Sequence, residues 1–146
     1  MNGEVMHGHT AAHEGGTFIA NGLADGFPVA FADGFQVGIG ARDDAPCVET
    51  DDPTPSLFAM VAFWVRYLAS TIALPVFVGS WIEDGVTFIE PSVRVMSRDA
   101  AVAIGDAFKE ACLWDWAASR CLWLDCADCR RGECSDPHDD DGGGES

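Results

Sequence analysis

Four of the six cysteines, Cys121, Cys126, Cys129 and Cys134, fall in one run with the spacing C-x4-C-x2-C-x4-C. Four thiolates can close a tetrahedral zinc site, and C-x2-C is the usual chelating knuckle. Arg130 and Arg131 would offset part of the negative charge of such a site, and His138 could replace one cysteine. A site with four protein ligands has no open position, so its role would be structural. The same spacing also suits a cluster of reduced, partly exposed thiols, and residue types alone do not separate the two readings.

Other reactive residues are less well arranged. His7, His9 and His13 stand close together near the N-terminus. Imidazoles at such spacing bind transition metals loosely, and adventitious binding is the expectation. Glu83, Asp84 and Glu90 cluster around a turn, where carboxylates are expected to be solvated rather than divided into acid and base roles. None of the four histidines lies within the expected core, which removes the usual general base. Cys47 and Cys112 have no histidine near them in sequence to activate a thiol. No GxGxxG or GxxxxGK phosphate loop occurs. The expectation is a protein without a catalytic constellation.

Charge narrows the partners. Twenty-four acidic residues face eight Lys and Arg, for a net charge of −16. Such a field repels nucleic acid and anionic membranes and suits a basic protein, or one that itself binds DNA. The leading expectation is a non-enzymatic accessory protein that binds a protein partner through an acidic surface. A second is a DNA mimic that occupies the site of a DNA-binding enzyme, with carboxylates standing in for phosphates. A third is a small structural zinc module.

The run from Leu57 to Val78 is mostly apolar, but Arg66 and Pro75 interrupt it. An arginine at the bilayer centre costs about 2.5–3.5 kcal/mol on insertion scales. No Lys or Arg cluster flanks the run to set an orientation, so a buried helix followed by a strand is the better reading. Met1 to Thr10 carries neither the basic region nor the apolar run of a secretory leader. A cytoplasmic location with reduced thiols is therefore expected.

The elements that would hold these residues follow from periodicity. Phe27-Pro28-Val29-Ala30-Phe31 and Phe35-Gln36-Val37-Gly38-Ile39 flank Asp33-Gly34, which predicts a hairpin. Thr54 as a cap and Pro55 at the first turn introduce a helix from Ser56 to Ala69, with Leu57, Met60, Val61, Trp64, Val65 and Leu68 on its buried face. Val76–Glu83 and Val86–Val95 form a second hairpin around Asp84-Gly85, with Pro91 pointing to an edge position or a bulge. Ser97 or Asp99 caps a second helix. The stretch from Leu113 to Leu124 reads either as more helix or as short strands, and its aromatic density favours strands. Trp64 and Trp81 are assigned to the core, and Trp114, Trp116 and Trp123 fit core packing better than an exposed aromatic patch.

The predicted fold is α+β: an antiparallel sheet from two hairpins plus short C-terminal strands, with two helices on one face. Residues 1–16 read as a flexible N-terminus, 17–132 as a single domain, and 133–146 as a disordered acidic tail.

One segment carries a resemblance. Gly79-Ser80-Trp81-Ile82-Glu83-Asp84-Gly85-Val86 leads through Glu90-Pro91-Ser92 and Val93-Arg94-Val95 to Arg98-Asp99-Ala100-Ala101, and then to Ala111-Cys112-Leu113-Trp114-Asp115. This resembles a group of small actinobacterial and actinophage proteins with a glycine–tryptophan strand, a DG-type turn, a helix and a final aromatic–aspartate pair. The resemblance implies an accessory role and no particular chemistry. Usage rich in Ala, Gly, Asp and Arg, with Lys109 the sole lysine, fits the same GC-rich origin.

Overall fold

A computed structural model describes residues 3–20, 26–40 and 47–134. Eleven elements occur among them: α1 (Gly3–His13), β1 (Gly15–Phe18), β2 (Phe35–Gly38), β3 (Val48–Thr50), α2 (Pro55–Ala69), β4 (Val76–Glu83), β5 (Val86–Val95), α3 (Arg98–Ala107), β6 (Cys112–Asp115), β7 (Arg120–Trp123) and α4 (Ala127–Arg131). The fold is α+β, as the sequence predicts. The sheet is antiparallel in the order β1-β4-β5-β2-β6-β7, with β3 on β5 beside β2. Most of the predicted acidic tail, residues 135–146, lies outside the described residues, and so does His138.

The second hairpin forms over the predicted spans. Its register runs from Val76↔Val93 to Glu83↔Val86. Asp84 and Gly85 take φ of 56° and 80°, the pair of left-handed residues that a type I′ turn requires.

The first predicted hairpin does not form. At Asp33-Gly34 the glycine has φ +87° while Asp33 is not left-handed, so the I′ turn is missing. The guanidinium of Arg94 instead holds Asp33 by its carbonyl at 2.8 Å and its carboxylate at 2.7 Å. Phe35–Gly38 then enters the middle of the sheet, between β5 and β6. Residues 27–31 run beside β1: Ile19 N–H donates to the Phe27 carbonyl, and Val29 N–H to Thr17. Phe27 is 59% exposed, while Phe35, Val37 and Ile39 are buried as their alternation implies. β2 is buried on both faces, which Gln36 can tolerate because its amide is satisfied. It donates to Ser92 Oγ at 2.9 Å and accepts from the Trp116 indole at 3.0 Å.

Pro91 also stands differently from expectation. β5 is central, not an edge. β3 covers Thr87–Ile89 and β2 covers Ser92–Val95. Pro91 lies at the break between them, so its missing N–H deprives no ladder. Its carbonyl accepts from Ile39 N–H at 2.9 Å.

The N-terminus is not loose over its described part. Gly3–His13 is helical and packs on α2. Met6 and Thr10 are each 1% exposed, and Thr10 Oγ1 meets Ser80 Oγ at 2.7 Å. A Cβ at Gly3 would lie 2.1 Å from the Pro55 carbonyl oxygen, so the close approach of α1 to α2 depends on glycine there. His7 packs against the Phe58 ring and His9 against Phe18.

α2 runs where its periodicity places it, but its buried face is rotated. Phe58, Val61, Ala62 and Val65 form that face, while Met60 and Phe63 are exposed and Trp64 is half-buried. No helix among the described residues is long and apolar enough to cross a membrane. The Leu57–Val78 run is α2 followed by the start of β4. In the C-terminal part the hairpin alternative holds: β6 and β7 pair with Leu113 opposite Leu122. Ser97, rather than Asp99, caps α3, its Oγ accepting from Ala100 N–H at 3.2 Å.

Candidate metal centre

The β6–β7 hairpin leads straight into α4, and this short segment gathers three of the four predicted ligands. The sulfurs of Cys126, Cys129 and Cys134 all lie within 4.8 Å of one another. Cys126 caps α4, and its Sγ accepts from Cys129 N–H at 3.4 Å. That is the backbone-to-sulfur bond expected of a C-x2-C knuckle. Gly132 ends α4 with φ +79°, a left-handed cap that turns the chain back so Cys134 returns to the other two.

The separations suit a metal. Zn–S bonds of about 2.3 Å at tetrahedral angles place thiolate sulfurs about 3.8 Å apart. The Cys126 and Cys134 sulfurs are 3.9 Å apart, far beyond the roughly 2.05 Å of a disulfide. Cys129 is 5% exposed and all three pack against the core. The donor set, three soft sulfurs, is one that zinc accepts.

The fourth predicted ligand is elsewhere. Alternation along β7 puts Cys121 on the face it shares with Cys112 of β6. Their sulfurs are 3.6 Å apart. The group that gathers within 4.8 Å is therefore one of three cysteines, without Cys121. Cys47 is exposed and distant in sequence from this hairpin.

Arginines fix the loop that carries the thiols. Arg98 donates to the Cys129 carbonyl at 3.1 Å, and Arg120 to the Cys134 carbonyl at 2.7 Å. Arg130 donates to the Leu124 carbonyl and grips both carboxylate oxygens of Asp106 at 3.0 and 2.8 Å. Arg131 pairs with Asp128 and Glu133. Four of the chain's eight cationic residues thus surround one loop of a strongly acidic protein. Sequence reasoning anticipated Arg130 and Arg131 but not Arg98 and Arg120, whose roles need tertiary contacts.

A second polar cluster lies across the sheet. Glu90, 2% exposed, shares a hydrogen bond with Glu110, and its Oε1 accepts from Gly40 N–H at 3.1 Å. Burial raises Glu90 to about 7 against the pull of those two bonds. Burial, then the neighbouring Glu90 charge and the shared bond, raise Glu110 to about 8. In their shared hydrogen bond Glu110 is the donor, which lowers Glu90 and raises Glu110. Burial, and then the charges of this pair, push the Cys47 thiol up to about 12, although its surface is exposed. The hydrogen bond with Cys121, and then burial, push Cys112 upward as well. Both thiols are therefore held toward the neutral form. The sequence groups Glu90 with Glu83 and Asp84 as solvated carboxylates. Glu90 is instead buried, whereas Glu83 and Asp84 are exposed as expected.

The three histidines do not assemble a site. Rings of His9 and His13 stack at 4.1 Å, while His7 turns to Phe58. Burial, and secondarily His13, lower the His9 pKa. Among the described residues the cysteine group alone brings three potential metal ligands together. Trp114, Trp116 and Trp123 are half-buried, and so are Trp64 and Trp81. The exposed large apolar side chains include Met60, Phe63 and Tyr67 of α2.

Comparison with protein-family models, with curated proteins and with solved structures finds no match to this chain.

Proposed function

We propose that the protein is a non-enzymatic binding module whose C-terminal hairpin is fastened by a zinc ion on Cys126, Cys129 and Cys134. The observation that carries this reading is the approach of those three sulfurs to within 4.8 Å. The metal would tie α4 and the returning chain together. The test is metal content and cobalt substitution of purified protein. One zinc per chain is expected, and the cobalt form should show sulfur-to-metal charge transfer. Serine at Cys126, Cys129 or Cys134 should abolish that band, and Cys121→Ser should keep it. Metal-free protein that folds unchanged, with all three thiols open to alkylation, would refute the reading.

A partner-binding role is favoured by the outer face of α2. Met60, Phe63 and Tyr67 recur at helical spacing and are 43%, 65% and 58% exposed, an apolar stripe on a chain of net charge −16. Exposed Glu4, Asp51 and Asp52 lie toward the N-terminal end of that helix. This combination fits a basic amphipathic segment of a protein partner, with apolar side chains on the stripe and Lys or Arg on the carboxylates. A lysine- and leucine-patterned helical peptide should bind, weaken as salt rises, and lose binding to Phe63→Glu. Equal binding to Phe63→Glu, or self-association of the free protein through α2, would remove this docking mode.

A further inference from the structure

Beside the thiol cluster is a cleft of about 180 Å³, with Arg98, Arg120, Asp115, Cys121, Cys129 and Cys134 in its walls. We propose that this cleft binds a small oxyanion, a carboxylate or a phosphate, as the fourth donor to the metal. The inference rests on the metal reading above and goes beyond it, since it makes the site an open one.

Three protein donors leave one position of a tetrahedral ion to an outside ligand. Two of the three gathered cysteines, Cys129 and Cys134, line the cleft, so a ligand there is next to the metal position. Cys121 lines it too, but its sulfur lies 3.6 Å from that of Cys112 and outside the group of three. The same wall presents two guanidinium groups. Arg98 uses Nη1 on the Cys129 carbonyl, and Arg120 uses Nη2 on the Cys134 carbonyl. Each guanidinium has five N–H donors, and these single bonds fix its plane while leaving others for a ligand. Arg98 is held further by Phe35, whose ring centre is 5.1 Å from its guanidinium carbon.

The opposing charge in the wall is Asp115. Its carboxylate stands 3.7 Å from Arg98, a loose ion pair that leaves the geometry short of a bidentate fork. Two guanidinium charges against one carboxylate leave the lining cationic, in a chain otherwise dominated by acids.

The measurement is an anion titration of the cobalt-loaded full chain, with acetate and with inorganic phosphate, read in the visible d–d bands. A saturable spectral change is expected. Arg120→Gln and Arg98→Gln should each weaken it about tenfold, the effect of losing one charge-assisted hydrogen bond. Arg120→Lys keeps a donor for the Cys134 carbonyl. It should load cobalt normally and bind the anion with intermediate strength, which separates loss of the ligand from loss of the fold. If acetate alone shifts the bands the ligand is a carboxylate, and if phosphate alone does so it is a phosphate. Cobalt loading with spectra indifferent to both anions would overturn the inference and leave the metal site standing. A change of the anion-free spectrum in His138→Ala would also overturn it, because the chain would then supply the fourth donor. Failure to load cobalt at all would remove both.

Discussion

The buried carboxyl pair makes stability depend on pH in a way that one substitution should isolate. Glu90 has its pKa raised from 4.5 to about 7. Below pH 4.5 the folded and unfolded chains both carry the proton, and the contribution to stability is fully present. Between 4.5 and about 7 the folded chain keeps a proton that the unfolded chain releases, so stability falls as pH rises. Above about 7 the loss is complete. At 1.36 kcal/mol per pH unit, Glu90 alone accounts for about 3 kcal/mol. Glu110 carries the decline on to about pH 8. The thiols facing the pair stay neutral across this window, Cys47 because it is raised to about 12 and Cys112 because it too is raised, so they add no slope.

Glu90→Gln should remove this dependence without removing the contacts. The amide oxygen can accept from Gly40 N–H, and the amide nitrogen can donate to Glu110. Urea unfolding of wild type and variant, followed by tryptophan fluorescence from pH 5 to 9, gives the comparison. The self-repulsion of a chain this acidic lowers the stability of both proteins alike, so the quantity to read is their difference. Near pH 5 the variant should be equal or slightly weaker. By pH 8.5 it should be the more stable, by about 2–3 kcal/mol, once Glu90 is ionised in the wild-type fold. A difference that stays constant across that range would mean that burial does not raise Glu90 in the fold.

Two further substitutions test the frame around the sites. Gly3→Ala puts a methyl where the Pro55 carbonyl oxygen would be 2.1 Å away, so α1 must lift off α2 at a cost of about 1–3 kcal/mol. Hydrogen exchange should show faster amides in α1 and little change in β5, and unaltered α1 protection would refute the docking. Ser97→Ala removes the oxygen that accepts from Ala100 N–H and should lower stability by about 1 kcal/mol in urea unfolding. Ser97→Asp should recover most of it, and equal stability of the alanine and aspartate variants would show that the cap does not matter.

How much of this was legible in the sequence depended on whether the governing contacts were local. The β4–β5 hairpin was readable because Asp84-Gly85 can take two left-handed conformations in a row and the flanking runs need no help from elsewhere. Asp33-Gly34 offers the same two letters, yet Arg94, sixty-one residues on, captures Asp33 and turns Phe35–Gly38 into a central strand. α1 was unreadable for the opposite reason. Its two glycines and few apolar residues are poor helix formers, and its order comes from Met6, Thr10 and Gly3 fitting against α2 and β4. The face of α2 was misjudged because Met60 and Phe58 look alike as hydrophobes, and only the position of the sheet decides which is buried.

The cysteines show the same division at the level of chemistry. C-x2-C is a local device, and Cys126 and Cys129 adopt the knuckle that their spacing implies. Cys134 reaches them because Gly132 can turn left-handed, a feature also within the local sequence. Cys121 fails to join because it belongs to a strand, and strand alternation assigns it to Cys112 before the turn to α4 begins. A motif counted along the chain treats the four cysteines as equivalent, whereas the hairpin divides them by face. That division, with three sulfurs gathered and Cys121 set against Cys112, is what separates the proposed open site from the closed one expected of four cysteines.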